Sequence, residues 1–218
     1  MATTYLQLVN DVLVRLREPT VASVTANDYS SLIGKLVIDA KREVEDSYNW
    51  DCLRTTYTVS TGSGTYNYTL TGAGTRFKIF EVANDTDDRF MEYRPAKWFT
   101  ENLILTTTPK TGSPVYYNLN GVDNSGDSQV DLFPIPDGTY TVRFDVIKPE
   151  DELSADSDVT LLPKNPIVLL AWAKAIEERG EDGGVNVNSQ YAVAKQSLAD
   201  HIAIEANRRP DEITWYWV

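Results

Sequence analysis

The side chains best suited to chemistry are a single histidine and a single cysteine, His201 and Cys52. A zinc site needs several Cys or His ligands and a disulfide needs two cysteines, so an internal disulfide and a cysteine-based metal cluster are excluded. No Gly-x-Ser-x-Gly nucleophile motif accompanies the histidine. We therefore interpret His201 as a surface or interface residue and Cys52 as a buried structural thiol. No catalytic, metal-binding or cofactor-binding residue is predicted.

Several glycine-rich or acidic segments have a superficial likeness to ligand-binding loops. Residues 123–127 resemble the start of a calcium loop, but Gly126 precedes the third ligand position of the EF-hand pattern, which favours a hairpin turn. The glycines of 62–64 and 72–74 lack the lysine and the following helix of a phosphate loop. The acidic segment 181–184 is interpreted as a solvated turn rather than a cation site.

The formal net charge of −12 argues against a protein that binds nucleic acid. Phosphate backbones are bound by summed Lys and Arg contacts, whereas an acidic surface suits a passage through which DNA slides without sticking. Solubility alone is the other explanation of the charge. Hydrophobic residues are 42% of the 218 residues and charged residues 24%, as in folded proteins. Without a long apolar stretch or a signal-peptide pattern, we expect no membrane span and a cytoplasm-like compartment.

Two amphipathic helices are predicted at the beginning of the chain. Thr4 and Gln7 have the spacing of a capping box, so a helix is expected over residues 4–18, ended by Glu18-Pro19. Asp28 is the predicted N-cap of a second helix that runs to about Tyr48. The apolar residues of this second helix recur at helical spacing: Ile33, Leu36, Val37, Ala40 and Val44.

Two further helices are predicted near the end of the chain. Asn165 is the expected N-cap of the first, with Pro166 at the first helical position, where a missing N–H costs nothing. This helix is expected to end at Arg179-Gly180. The last helix is expected to open at Asn188 or Ser189 and to end before Pro210.

The segment between the helix pairs, residues 54–148, is predicted to form short antiparallel strands. It is rich in Thr, Tyr and Val, and Gly, Ser, Asn and Asp turns interrupt it. Gly62-Ser63-Gly64 lies between two alternating stretches, around Tyr57 and Tyr68, which suggests a hairpin. Further strand candidates are 76–83, 89–94, 114–119, 129–133 and 139–147, and a helical turn is expected around Trp98-Phe99-Thr100-Glu101. The spacing favours a small sandwich or barrel.

These elements together predict an α+β fold. A four-helix domain, with two N-terminal and two C-terminal helices, carries a central antiparallel β-sandwich or barrel-like insertion. Neither helical half is expected to bury its apolar stripe alone, so the two halves should pack together. The predicted domains are a discontinuous helical domain of residues 1–53 and 163–209, a β insertion domain of residues 54–162, and a C-terminal aromatic arm of residues 210–218.

The aromatic arm is the predicted partner-binding site. The chain contains twelve Tyr and five Trp residues, and its last four residues are Trp215, Tyr216, Trp217 and Val218. Tyr and Trp suit interfaces because they combine apolar area with a polar group. Exposed aromatics beyond Pro210 are a liability unless a partner, or the subunit's own core, receives them.

Residues 5–54 and 163–209 show a resemblance to a known family. The first helix contains Val9-Asn10-Asp11 and ends at Arg17-Glu18-Pro19, and the second reaches Tyr48-Asn49-Trp50 just before the first strand. This pattern resembles the tail tubular protein A family of short-tailed bacteriophages, also called head-to-tail adaptors. Arg17 stands where that family often has Gly, so the first helix is expected to turn differently at its end.

The resemblance implies a structural virion protein without catalytic residues or cofactors, located in the tail or neck and made in the bacterial host cytoplasm. It implies a homo-oligomeric ring of about twelve subunits, since head-to-tail contacts close into rings. The helices would face the portal protein and neighbouring subunits, and the β domain would face the tail nozzle protein. DNA would pass through the central channel during ejection without specific binding, and no membrane is involved.

Two other classes of protein are alternatives to the adaptor. An aromatic β domain is compatible with a receptor- or carbohydrate-binding virion module, although Trp98 is the only Trp within the insertion. An enzyme is the other alternative, and the lack of a metal or nucleophile constellation in the sequence argues against it.

Overall fold

A computed structural model describes residues 3–180 and 185–208 of the chain. These residues divide into two compact units, one formed by residues 3–52 and 150–208 and the other by Leu53–Pro149. The described residues contain five α-helices and several antiparallel or mixed sheets, none of which closes into a barrel. The predicted α+β fold class is therefore confirmed.

The two N-terminal helices form close to where the sequence places them. Helix α1 spans Tyr5–Arg15, and the predicted capping box is present: the Gln7 amide donates to Thr4 Oγ1 at 3.3 Å and the Thr4 amide donates to Gln7 Oε1 at 3.1 Å. The helix ends before the predicted Glu18-Pro19, because Arg17 adopts a left-handed φ of 60°. Helix α2 spans Asp28–Ser47, and its N-cap is Asn27 rather than Asp28.

The two C-terminal helices differ from prediction only at their beginnings. Helix α4 spans Lys164–Arg179, with Pro163 at the N-cap position and no side-chain cap, so the predicted cap at Asn165 is wrong. Its end is confirmed, since Gly180 closes it with a left-handed φ of 62°. Helix α5 spans Val185–Ala206, and therefore begins before the predicted Asn188.

The helical unit has one shared core. Helix α4 packs against α1, α2 and α5, so residues from both ends of the chain meet as expected. The side chain of Trp50 is buried just after α2, and its indole Nε1 donates to the Val44 carbonyl at 2.7 Å. The core is built from fully buried apolar side chains of the first, second and fourth helices: Leu8, Val9, Val12, Ile33, Val37, Val44, Ile167 and Ala171.

The second unit consists of two four-stranded sheets. The first has the order β2 (Arg54–Ser60), β9 (Thr141–Ile147), β4 (Lys78–Asn84) and β5 (Arg89–Phe90). The second has the order β3 (Asn67–Thr69), β8 (Ser128–Phe133), β7 (Tyr116–Val122) and β6 (Glu92–Tyr93). Neighbouring strands are antiparallel except β6 and β7, which are parallel. The predicted helical turn is confirmed as α3 (Ala96–Phe99), continued by a π-helical turn over Thr100–Ile104.

The predicted hairpin across Gly62-Ser63-Gly64 is wrong. The two strands beside it, β2 and β3, lie in different sheets, β2 paired with β9 and β3 paired with β8. Local alternation and turn residues indicate the strands correctly, but the pairing partners lie far away in sequence. The two sheets enclose a common apolar core: Val59, Leu70, Val82, Val130, Leu132, Val142, Phe144 and Val146.

Residues 150–162, assigned to the insertion from sequence, group with the helices in the structure. Strand β1 (Thr3–Thr4) pairs with β10 (Val159–Thr160), and the Tyr5 amide donates to the Asp158 carbonyl at 2.8 Å. The Val24 amide donates to Asp156 Oδ1 at 3.0 Å. These contacts join the returning chain to the first two helices, which is why the border of the unit lies before Glu150.

Candidate protein-interaction surfaces

His201 and Cys52, the two candidate reactive residues, occupy structural positions. His201 Nδ1 lies 2.7 Å from the Ser197 carbonyl oxygen, one turn earlier on α5. Burial, together with the nearby Glu150 and Glu205 carboxylates, raises the pKa of the Cys52 thiol to about 11, so the thiolate is disfavoured. Across residues 3–180 and 185–208, no group of three or more His, Cys, Asp or Glu side chains is arranged to hold a metal ion.

The loop of residues 123–127, which resembles a calcium loop in sequence, is a hydrogen-bonded hairpin turn. It joins the antiparallel strands β7 and β8, as the sequence predicted. Asp123 Oδ1 accepts from the amides of Ser125 and Asp127, at 2.8 and 2.9 Å. The Asp127 carboxylate accepts from the amides of Gly72 and Gly74, at 2.8 and 2.9 Å, and these bonds lower its pKa. The Asp127 carboxylate therefore joins the loop of residues 123–127 to the loop of residues 72–74.

A buried ion cluster anchors the chain where it returns to the helical unit. The Lys41 ammonium lies 2.6 Å from Glu45 Oε1 and 3.3 Å from Glu150 Oε2. Glu150 also accepts from Thr160 Oγ1 at 2.7 Å and from the Leu161 amide at 2.6 Å. Burial raises the pKa of Glu45, although the hydrogen bond and charge of Lys41 oppose this. All these oxygens face protein groups, so the cluster is structural.

The outer face of the first sheet of the second unit carries an ion-pair ladder. Arg143 donates through Nε to Asp85 at 3.1 Å and through Nη1 to Asp145 at 2.9 Å. Thr56 Oγ1 donates to the same Asp145 at 2.7 Å, and Arg54 lies over the ring of Phe80 at 4.6 Å. Because opposite charges alternate along this face, it does not present one sign of charge.

The only Trp of the insertion is engaged in packing. The Trp98 ring makes edge contacts with Tyr116 and Phe133, with ring centroids 5.0 and 5.1 Å apart. A carbohydrate-binding platform needs an open aromatic face, so this geometry does not favour the receptor- or carbohydrate-binding alternative. Just beyond, Ile104 and Leu105 are 69% and 73% exposed, which marks an apolar loop on the surface.

One strand edge of the second unit is long, and no strand of the described residues pairs with it. The Thr61 amide donates to the Tyr140 carbonyl at 2.9 Å and the Lys148 amide to the Leu53 carbonyl at 3.0 Å. This register turns the amides and carbonyls of Leu53, Thr55, Tyr57 and Val59 toward β9. The other residues of β2, Arg54, Thr56, Thr58 and Ser60, therefore direct their amides and carbonyls away from the sheet, and all four are exposed.

Sequence reasoning missed this edge because it paired β2 with β3 as a hairpin. Alternation identifies a strand but does not identify its neighbours. The predicted partner-binding residues, Trp215, Tyr216, Trp217 and Val218, lie outside the residues that the structure describes. No helix of the described part of the chain is long and apolar enough to cross a membrane.

Three exposed features stand out among the described residues: an open strand edge, an apolar stretch at Ile104 and Leu105, and a sparsely buried last helix. Exposed apolar and main-chain surfaces of this kind are typical of proteins that act through contacts with other proteins. The chain belongs to the SU10 adaptor protein family, whose model matches residues 3–214. This is a family of bacteriophage head-to-tail adaptors, structural proteins of the virion. No curated protein shows a significant match to the chain.

Proposed function

We propose that this chain forms a ring of about twelve subunits that joins the portal to the tail nozzle and encloses part of the DNA ejection channel. It does so as a structural protein without catalytic activity. The observation that carries the proposal is the family match over nearly the whole chain, residues 3–214. The finer details of the proposal are the contacts with the portal and the nozzle and the closure of a ring. They rest on the resemblance of the first two helices and Trp50 to the tail tubular protein A family.

The helical unit supplies the surface for the portal and for neighbouring subunits. Among the described side chains of α5, only Ala194 is buried. Val193 and Ile204 are 51% and 64% exposed, and their separation of about three turns places them on the same face of the helix. An exposed helix face with apolar side chains is suited to receive a neighbouring protein.

The acidity of the chain supports its role as a DNA passage. Many cations of the described residues are engaged in ion pairs with carboxylates, such as Lys174 with Glu43 at 2.5 Å and Arg179 with Glu18 at 2.6 Å. The formal excess of acidic over basic residues gives the net charge of −12 on each subunit. In a ring, an acidic channel wall repels the phosphate backbone and lets DNA move without adhering.

The aromatic arm, residues 210–218, docks on the portal or on a neighbouring subunit. Pro210 lacks an N–H and breaks a helix, and Asp211 and Glu212 keep the root of the arm soluble. Trp215, Tyr216 and Trp217 offer large apolar area on few rotatable bonds, which is the composition of interface hot spots.

The proposal is tested by mixing the purified full-length chain with its portal ring. Negative-stain images and a mass measurement of the mixture should show a second ring stacked on the portal. A free subunit that stays monomeric is consistent with the proposal, because the portal acts as a template for the ring. If neither the free protein nor the mixture forms a ring at any concentration, the proposed function is wrong.

A further inference from the structure

The open edge of β2 is unusual among the sheet edges of the second unit. The other three edge strands are short, with two residues each in β5 and β6 and three in β3. Strand β2 pairs with β9 over seven residues without a bulge, and it contains no proline. Proteins usually protect exposed edges by shortening, bulges, proline, charged side chains or cover, because an open edge accepts another strand. Within the described residues, the one such protection on strand β2 is the charge of Arg54 at its first position.

The chain also contains a segment suited to occupy that edge. Residues 212–218 read Glu-Ile-Thr-Trp-Tyr-Trp-Val, and they equal β2 in length. Ile, Thr, Trp, Tyr and Val are the residues most favoured in strands. Ile213, Trp215 and Trp217 alternate with Thr214, Tyr216 and Val218, so an extended segment would present an apolar row to one side.

The inner face of β2 can receive such an apolar row. Val59 is buried in the sandwich core, and Tyr57 and Tyr68 are only partly buried at its margin. A strand added beside β2 would place alternate side chains next to Tyr57 and Val59 and would cover this margin. Its main chain would bond to the outward amides and carbonyls of β2, as in known cases of strand addition.

We propose that the β2 edge of one subunit binds residues 212–218 of a neighbouring copy, which add to the sheet as a fifth strand. This inference rests on the proposed ring. A ring requires a contact between two different surfaces of identical subunits, because a contact between like surfaces stops at a dimer. The edge and the arm supply one acceptor and one donor on every copy, which is the arrangement that a closed ring needs.

The first test compares two substitutions at one position. The Thr58 amide points away from β9, so Thr58→Pro removes an outward donor without breaking a bond within the sheet, and proline is tolerated at such edges. Thr58→Ala removes the same side chain and keeps the amide. A synthetic peptide of residues 209–218 is titrated against both full-length variants. Thr58→Pro should weaken its binding by about tenfold or more, and Thr58→Ala by less than about twofold.

The second test measures amide hydrogen exchange of the unmodified full-length chain. It does not depend on whether the Thr58→Pro variant folds. Saturating peptide should slow exchange at the amides of Arg54, Thr56, Thr58 and Ser60. A peptide in which Trp215 and Trp217 are replaced by Ala should not slow exchange at these amides. Absence of peptide binding, protection only elsewhere, or equal binding to both Thr58 variants would overturn the proposal. Protection of these amides in the dilute monomer without peptide would show that the chain's own arm fills the edge, which overturns it as well.

Portal-dependent assembly separates this inference from the proposed function. If Thr58→Pro joins the portal and closes a ring as readily as Thr58→Ala, the edge is not the contact, although the adaptor role stands. If the unmodified chain itself never assembles on the portal, the adaptor role fails, whatever the peptide does.

Discussion

The Lys41 ammonium lies 2.6 Å from the Glu45 carboxylate, one turn later on α2, and the two side chains are only 3% and 2% exposed. Glu150 completes the cluster from the first residue of the returning chain. Burying charge is costly unless each charge has a partner, and the partners here come from both segments of the helical unit. The cluster therefore fixes where the chain re-enters that unit after the insertion.

Replacing Lys41 by Met should destabilise the protein by about 3–5 kcal/mol, because Glu45 and Glu150 lose their buried cation. Chemical denaturation measures this free energy of unfolding. The exposed pair Arg42–Glu152, at 49% and 56% side-chain exposure, provides the control. Arg42→Met should cost about 0–1 kcal/mol. Equal effects of the two substitutions would mean that the buried cluster does not anchor the fold.

Gly34 is predicted to be intolerant of any side chain. A β-carbon there would clash with Tyr5 Oη and would lie 2.7 Å from Val24 Cγ1, and both neighbours are buried. Alanine favours a helix by about 1 kcal/mol over glycine. Crowding of this severity outweighs that gain, so Gly34→Ala should destabilise by about 1–3 kcal/mol in chemical denaturation.

Two variants control the Gly34 prediction. A β-carbon added at Gly62 would meet no atom within 4 Å beyond its chain neighbours, so Gly62→Ala should change stability by less than about 0.5 kcal/mol. Adding Tyr5→Phe to Gly34→Ala removes the nearest atom and should restore part of the loss. A Gly34→Ala protein as stable as the unmodified chain would contradict the close approach.

The Asp127 carboxylate should make the loop contact sensitive to acid. The amides of Gly72 and Gly74 hold its pKa below the ordinary value in the folded protein. A lowered folded pKa gives stability that is present above the unfolded pKa and lost as pH falls through the folded value. Asp127→Asn should therefore melt earlier than the unmodified chain at pH 7, and the two should converge at strongly acid pH. A difference in melting temperature that does not depend on pH would contradict this.

The features predicted correctly from sequence are those that local chemistry decides. Thr4 and Gln7 form their capping box because the two residues need only each other, and Gly180 ends α4 because it tolerates the left-handed conformation. The pairing of β2 with β9 joins residues more than eighty positions apart, and no local pattern encodes that choice. Local sequence therefore predicts a hairpin at Gly62, whereas the structure pairs β2 and β3 with different strands.

The border predicted for the insertion, residue 162, differs from the end of the compact unit at Pro149 for a related reason. Glu150 and Thr160 lie between the last predicted strand and the third predicted helix, in a stretch without helical periodicity. Their contacts with Lys41 and with each other, and the pairing of β10 with β1, depend on the three-dimensional arrangement. The two candidate contact surfaces differ in the same way: the aromatic arm is a prediction from the sequence, whereas the open edge of β2 appears only in the structure.

If the subunits form the proposed ring, its channel should be acidic. The motivation is the net charge of −12 on each subunit, repeated around the ring. Lys and Arg should concentrate at contacts between subunits and with the portal, while carboxylates face the DNA. A structure of the ring on its portal measures this directly. A channel surface that is mainly basic would contradict the prediction.

Deleting residues 211–218 should leave a folded monomer that no longer assembles. If the arm docks on a partner, the subunit's own core does not need it, and the melting temperature of the monomer should be nearly unchanged. Portal binding, measured by sedimentation of the mixture, should be lost. The double substitution Trp215→Ala and Trp217→Ala should reproduce this loss, whereas Asp211→Asn with Glu212→Gln should not, since those residues serve solubility. A truncated monomer that melts much earlier would place the aromatic residues in the subunit's own core, and a truncated chain that still assembles would show that the arm is not a docking site.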